Sequence, residues 1–442
     1  MKIINTCFQK PLSIAPGESK ATLASFLFVL ILMASYFILR PVRDAMASDW
    51  SDLEVSFLWN INFFVSTGIV ALYGYAVSKL KFRNVVPIIY TFFASSFIIF
   101  YFVVSLVADR QIVDKIFYLW VSVFSLFHVS VFWSFMADIF SRAQAKRLFP
   151  FIAAGASTGA LIGPIIPAMF ATTLGVETLM LVASCGLMLV IPLIFYIYQQ
   201  KTTSLGNTSL NINHQQKIIG GNWWSGFRTL VRNPYFFSIG IFILLYVFIG
   251  SFIYFAQKNL LAEYSRVERI QILGSIDWLV NLLTFGLAFF ATGRIIKKFG
   301  MPITLAMVPL FVLACLIILA FAPLISIVLA LQVARRAGSY AITRPAREML
   351  FTEVSEEERY KAKPVVDIVV YRGGDAVSGT LFAILTDGIG FGLAAVAVVG
   401  AGIAGVWTFV AIRLGRRYES KTECPPNDVD SQTKAVVIIE QT

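Results

Sequence analysis

The chain has 442 residues, 58% of them hydrophobic and 14% charged, with a formal net charge of +11 and a mean hydropathy of +0.77. A soluble protein of this length needs far more polar surface, so the composition argues for a membrane protein whose positive charge sits beside anionic lipid rather than on nucleic acid. Four scattered cysteines and two histidines give no disulfide framework, metal cluster or histidine-based catalytic group, so no metal and no cofactor is expected.

A tail of mixed polarity precedes the first apolar stretch, and no cleaved signal or transit segment is expected in it. Stretches long enough to cross a bilayer as helices are predicted near 21–40, 55–78, 84–107, 116–138, 149–172, 177–199, 234–256, 270–293, 301–320, 324–350, 365–386 and 391–413. The first ends in SYFILRPVRDAMA, where Tyr36, Arg40, Arg43 and Asp44 share a helical face about 100° wide. Pro41 is expected to kink this helix and free a carbonyl. The alternative for Arg40 and Arg43 is snorkelling to the outer interface.

After the fourth span comes a charged loop, ADIFSRAQAKR, and then a helix rich in small residues, FIAAGASTGALIGP. Its Gly155, Gly159 and Gly163 lie four apart and form a ridge that lets another helix approach closely. We expect that ridge to face a helix of the other half and to take part in rocking, the alternative being static packing. The segment Lys201 to Gly221 reads as a flexible linker, and Trp223, Trp224, Phe227, Leu230 and Val231 as one face of a short interfacial helix.

The tenth span, VARRAGSYAITRPAREML, carries Arg335, Arg336, Arg344 and Arg347. An arginine at the centre of a membrane helix costs roughly 2.5–3.5 kcal/mol on insertion scales, so four together point to function. At 100° per residue, Arg336, Tyr340, Thr343 and Arg347 fall within about 40° of one line, a stripe roughly 16 Å long. Arg344 lies at its edge and Arg335 is expected to point elsewhere. The alternative for Arg336 and Arg347 is a buried structural ion pair with Asp367, Asp375 or Glu348. The eleventh span adds Arg372 and Asp375 around a Gly-Gly pair, and the tail beyond the twelfth is polar with Pro425 and Pro426, expected to be disordered.

Orientation follows from Lys and Arg. With both termini on one side, that side holds 24 basic residues and the other seven, while five lie inside spans ten and eleven. The asymmetry predicts cytoplasmic termini in a bacterial inner membrane. The resulting organisation is an N-terminal six-helix half (1–200), a cytoplasmic linker with the interfacial helix (201–233), a C-terminal six-helix half (234–415) and a tail (416–442). Six spans, a linker and six spans is an all-α, pseudo-symmetric layout that resembles the major facilitator superfamily.

Four stretches, ILRPVRD, LWVSVFSLFHVSVFWSFMADIFSRAQAKRLFPFIAAGAS, FATGRIIKKFG and RPAREMLFTEVSEEERYKAKPVVDIVV, resemble the nucleotide translocases, the ATP/ADP antiporters of bacteria and plastids. The resemblance runs from the first span to the last. It matches the family's basic pair before an aspartate to Arg40, Arg43 and Asp44, and its Ala-Lys-Arg element to Ala145, Lys146 and Arg147, a cytoplasmic gate. The chain departs from the family's exchangers at Tyr118 and around Phe252 to Tyr254, where they carry glutamates, at Asp375, where they carry lysine, and at Arg344, where they carry an acid. It thus resembles a divergent bacterial branch.

Arginine outnumbers acid along the pathway, and its planar fork suits phosphate or carboxylate. The expected function is therefore secondary transport of a small organic anion, with nucleotides or phosphorylated metabolites as first candidates. The expected binding residues are Arg40, Arg43, Asp44, Arg336, Tyr340, Arg344, Arg347, Arg372 and Asp375, with Lys146 and Arg147 as gate. Two alternatives remain: proton-coupled transport or efflux of another solute through Asp44, Asp138 or Asp375, and a receptor or assembly protein that moves nothing. No catalytic motif or Walker loop is present in the sequence, so enzymatic activity and an ATP-driven pump are not expected.

Overall fold

The computed structural model describes residues 15–203, 232–351 and 369–423, apart from positions 16, 80, 81, 108 and 291. The linker, the interfacial helix, Asp367 and residues 424–442 fall outside it. Twelve helical segments follow one another. In the first half they are α1 (Ser19–Ala47), α2 (Asp52–Lys79), α3 (Phe82–Leu106), α4 (Gln111–Ile139), α5 (Arg142–Ile162) and α6 (Ile165–Thr203). In the second they are α7 (Pro234–Leu261), α8 (Arg266–Phe290), α9 (Thr292–Phe321), α10 (Ile325–Gly338, continuing through Ser339–Thr343 and Arg344–Leu350), α11 (Tyr371–Ala383, continuing through Ile384–Gly388) and α12 (Leu393–Glu423). Helix α12 continues well past residue 416, so the expected disordered tail does not begin there.

Local sequence sets the boundaries. Ser141 and Gln144 form a capping box at the start of α5, the Ser141 hydroxyl accepting from the Gln144 amide and the Gln144 side chain from the Ser141 amide. Asn233 caps α7 just before Pro234. The chain reverses within the long α6 segment at Gly175 (φ 77°) and between α11 and α12 at Gly390 (φ 82°). Both are left-handed positions that favour glycine; Gly390 falls between the fifth and sixth helix of the second half, and Gly175 breaks the long α6 segment of the first.

One apolar core lies mostly in the first half and takes in Phe252, Phe255, Ile270 and Phe382 of the second, while another lies wholly within the second half. Large apolar side chains such as Phe57, Phe64, Phe102 and Phe409 project from the bundle, the lipid-facing surface of a membrane protein. Among the described residues, eight helices are long and apolar enough to cross a bilayer by themselves, while α10 and α11 are interrupted by π-helical turns.

The glycine ridge faces α1 of its own half, not the other half as expected. A Cβ on Gly155 would stand 2.5 Å from the Phe26 carbonyl oxygen, and one on Gly163 2.7 Å from that of Ala34. A Cβ on Gly159 would land on the Leu30 carbonyl oxygen, with the Leu30 Cα only 3.0 Å away. Small residues four apart do bring two backbones together, but the partner is the neighbour that completes the half. Contact across the halves is made instead by α8, where a Cβ on Gly274 would meet the Ala168 nitrogen at 2.9 Å and Asn281 donates to the Ala160 carbonyl at 2.8 Å.

Candidate functional site

One end of the bundle, carrying the turn between α1 and α2, is closed by polar contacts between the halves. The Lys258 ammonium at the end of α7 donates to the Asp52 carboxylate at 2.7 Å and to the Trp50 carbonyl at 2.6 Å, and both charged side chains are buried. Arg266 and Arg269 of α8 each bind Asp49 at 2.5 Å, and Arg266 also reaches Asp114 of α4 at 2.8 Å. Thr386 donates to Asp52, and the Leu53 amide donates to Asp387. One layer deeper, the Trp59 indole donates to the Tyr118 hydroxyl at 2.7 Å, which lies 3.2 Å from the Tyr254 hydroxyl. This aromatic roof joins α2 and α4 to α7.

Below the roof lies a cavity of about 560 Å³ between the halves. All nine residues expected to bind substrate line it: Arg40, Arg43, Asp44, Arg336, Tyr340, Arg344, Arg347, Arg372 and Asp375. So does Arg335, which the helical wheel turns away. Gly250 of α7 explains the difference. A Cβ there would come within 3.2 Å of an Arg335 terminal nitrogen, so the missing side chain gives the guanidinium its room. Arg335 then donates to Gln332 at 2.8 Å and lies over the Tyr246 ring at 5.8 Å.

The wheel also fails at Thr343, which is buried away from the cavity wall. Residues Ser339–Thr343 form a π-helical turn. Bonding from i to i+5 spreads one turn over an extra residue, so the face that begins at Arg336 and Tyr340 continues at Arg344 instead of Thr343. Arg344 accordingly stacks on the Tyr340 ring, 4.4 Å from its centroid.

Arg40 and Arg43 do not snorkel. Arg43 donates twice to the Asp44 carboxylate, at 2.7 and 2.9 Å, and lies over the Tyr118 ring. Arg40 stands 3.6 Å from Asp44 and 3.6 Å from Asp277 of α8. Arg336 binds the same Asp277 at 2.6 Å. Of the expected acids, Asp375 and Glu348 are described and neither holds Arg336. Asp277 does, a lone acid in the apolar run QILGSIDWLVNLL, and a single intramembrane carboxylate is itself a functional signal. Arg347 pairs with Glu348 at 2.8 Å, and Arg372 with Asp375 at 3.5 Å.

Seven arginines and two aspartates line the wall. Counting Asp277 and Glu348 behind it, the arginines outnumber the acids by three among the described residues. Arg147 lies outside the cavity and binds Glu18 of its own half through two hydrogen bonds, at 2.9 and 3.1 Å. Burial works against the Glu18 carboxylate, but Arg147, the Ala15 amide and Gln144 outweigh it and hold its pKa below the usual 4.5. The Lys146 side chain lies outside the described residues.

Among the described residues, twelve helical segments in two halves around a charged cavity, closed at one end, define a multi-pass membrane protein. Residues 25–362 match the family model of the Major Facilitator Superfamily, and the chain belongs to that superfamily. The ADP,ATP carrier protein 2 of Chlamydia trachomatis serovar D is 23% identical over 347 residues, 66% of this chain and 63% of the carrier. The chain thus spans about 63% of the length of that curated relative. Among solved structures, a bacterial homologue of the iron transporter ferroportin in an inward-facing state superposes with a TM-score of 0.65 at 13% identity, covering 90% of this chain and 98% of that one. The nucleoside transporter NupG gives 0.62 at 12% identity, covering 90% and 99%. A bacterial homologue of the human lysosomal transporter Spinster gives 0.59 at 15% identity, covering 92% and 99%. At these identities the structural likeness speaks to the fold.

Proposed function

We propose that the chain exchanges small organic anions carrying phosphate or carboxylate groups across a bacterial inner membrane by alternating access, nucleotides and other phosphorylated metabolites being the first candidates. One observation carries the reading: among the described residues, seven guanidinium groups from α1, α10 and α11 converge on one cavity lined by two aspartates. The Chlamydia relative, named as a carrier of ADP and ATP, supports the nucleotide candidates. Both termini face the cytoplasm in this reading, from the 24-to-seven distribution of basic residues. The closed end then faces the periplasm. The cavity runs from the Trp59, Tyr118 and Tyr254 roof toward Arg347 and Tyr371, so the state is inward-open.

Proteoliposomes preloaded with ATP, ADP, sugar phosphates, dicarboxylates or buffer test the substrate class directly. The expected result is uptake of a labelled phosphorylated or carboxylate anion that requires anion inside and ignores an imposed pH gradient. Uptake driven by the pH gradient into empty vesicles would replace this reading with proton coupling, for which Asp44 and Asp375 are the acids on the cavity wall. Selective uptake of neutral or cationic solutes would end the anion reading. A reporter fused after Thr442 that works only in the periplasm would reverse the orientation.

A further inference from the structure

Asp277 has an unusual position. Its carboxylate is buried, with side-chain exposure of 4%, and it is not part of the cavity wall, yet both of its partners are. Arg336 belongs to its own half, on α10, and Arg40 belongs to α1 of the other half. The two attachments differ in kind. Asp277 and Arg336 are in direct contact at 2.6 Å. Arg40 stands at 3.6 Å from Asp277 and from Asp44, an ion pair too long for a hydrogen bond on either side. The Nε atoms of Arg40 and Arg336 are buried with no hydrogen-bond partner. A carboxylate behind the wall therefore holds two cavity arginines incompletely, and one of them across the boundary between the halves.

We propose that Asp277 is the carrier's internal counter-anion. With the cavity empty it ties Arg40 of α1 to Arg336 of α10, and so holds the closed end shut. Opening that end by rocking one half against the other draws α1 away from α8 and α10, which would leave Arg40 facing the gap without that carboxylate. A substrate oxyanion in the cavity offers Arg40 and the unused Nε groups a replacement, and the tie is released. A ligand shifts a conformational equilibrium only by its different interaction with the two states, and this exchange of carboxylate for substrate supplies such a difference. The consequence is obligatory exchange, because an empty carrier stays locked. The idea rests on the anion reading above. Asp277 acts in it as a positioning residue and is not itself a binding residue.

The test reads conformation without transport. Ile112 at the start of α4 and Ile389 between α11 and α12 are exposed, at 67% and 59%, and lie on opposite halves at the closed end. Spin labels at Ile112→Cys and Ile389→Cys, with Cys7, Cys185, Cys315 and Cys424 replaced by alanine, report the separation in the full chain in lipid. The expected native result without ligand is one short distance, joined by a longer one on addition of ATP or pyrophosphate. Asp277→Asn is expected to show the longer distance with no anion present. Arg40→Gln is the second variant, since it cuts the cross-half tie while leaving Asp277 paired with Arg336, and it should behave alike. A single short distance in both variants overturns the proposal, whatever ATP does to the native protein. If the variants open but the native protein ignores both anions, the lock is supported and the anion reading is what fails.

Discussion

Alanine at position 159 is the smallest change that tests how the first half is built. The added methyl would land on the Leu30 carbonyl oxygen, with Leu30 Cα 3.0 Å away, and both groups are backbone of α1. A rotamer change cannot relieve this. The helices must part by about 1 Å, judging from the neighbouring contact of 2.5 Å at Gly155 against ordinary separations of 3.4 Å and more. Overpacking of this kind costs about 1–3 kcal/mol and sometimes more, which lowers the folded-to-unfolded ratio roughly 5- to 150-fold. The expected outcome for Gly159→Ala is a lower thermal midpoint in detergent and less monodisperse protein on size exclusion. Gly402→Ala is the control, because a Cβ there meets nothing within 4 Å and helix propensity favours alanine over glycine by about 1 kcal/mol. A Gly159→Ala protein that melts with or above the native chain would refute the close approach of α5 to α1. Transport by the surviving folded fraction is expected to be normal, since the ridge does not face the moving partner.

Three further outcomes follow from the charges. Arg344→Lys keeps the charge but loses the planar stack on Tyr340, so anion affinity in a binding assay should fall about 2- to 30-fold, and unchanged affinity would remove Arg344 from the site. Lys258→Met strands the buried Asp52 carboxylate and should cost about 3–5 kcal/mol of stability. The double change with Asp52→Leu should restore most of the thermal midpoint, and no recovery would mean that the pair is not the source of the loss. Glu18 has its pKa lowered by Arg147, so its contribution to stability is full above pH 4.5 and is lost as pH falls through the depressed value. Arg147→Gln should therefore flatten the acid limb of a pH–stability curve, and an unchanged limb would count against the link.

Sequence periodicity located the cavity wall because a charge in a membrane helix is costly enough to be seen without its neighbours. Arg40, Arg43, Arg344 and Arg372 each stand out in an apolar run, and each reaches the same space. What the periodicity missed depends on tertiary partners. Arg335 needs Gly250 on a different helix, and nothing in the α10 sequence reports that gap. A wheel drawn at a constant 100° has no means of showing the π-helical turn at Ser339–Thr343, so it put Thr343 on the stripe and Arg344 only at its edge. The ridge on α5 was correctly read as a close-packing surface, but the GxxxG spacing names no partner. Asp277 stands as the lone acid of the apolar run 271–283, a signal missed at the level of sequence, while its pairing with Arg40 and Arg336 depends on three helices meeting. The ion pairs of the closed end escaped notice because charges in short loops are ordinary by composition.

The tyrosines of the cavity explain how so many arginines can be held without being spent. A carboxylate occupies the in-plane donors of a guanidinium, and those are the donors an oxyanion needs. An aromatic ring occupies the face and leaves the edge free. Arg344 on Tyr340 and Arg335 over Tyr246 have this arrangement, and the edge contacts described for them are neutral, Tyr371 for Arg344 and Gln332 for Arg335. Arg43, although it lies over Tyr118, is tied to Asp44, and Arg336 is tied to Asp277. The wall thus divides its arginines by partner, Arg335 and Arg344 bonding no carboxylate among the described residues and Arg43 and Arg336 being committed until something displaces the acid. An aliphatic wall would leave the guanidiniums to find carboxylates or water. A more acidic one would neutralise them. Tyrosine at 246 and 340 keeps the charge in place and its donors available, which is the condition for binding an anion tightly enough to recognise it and loosely enough to release it.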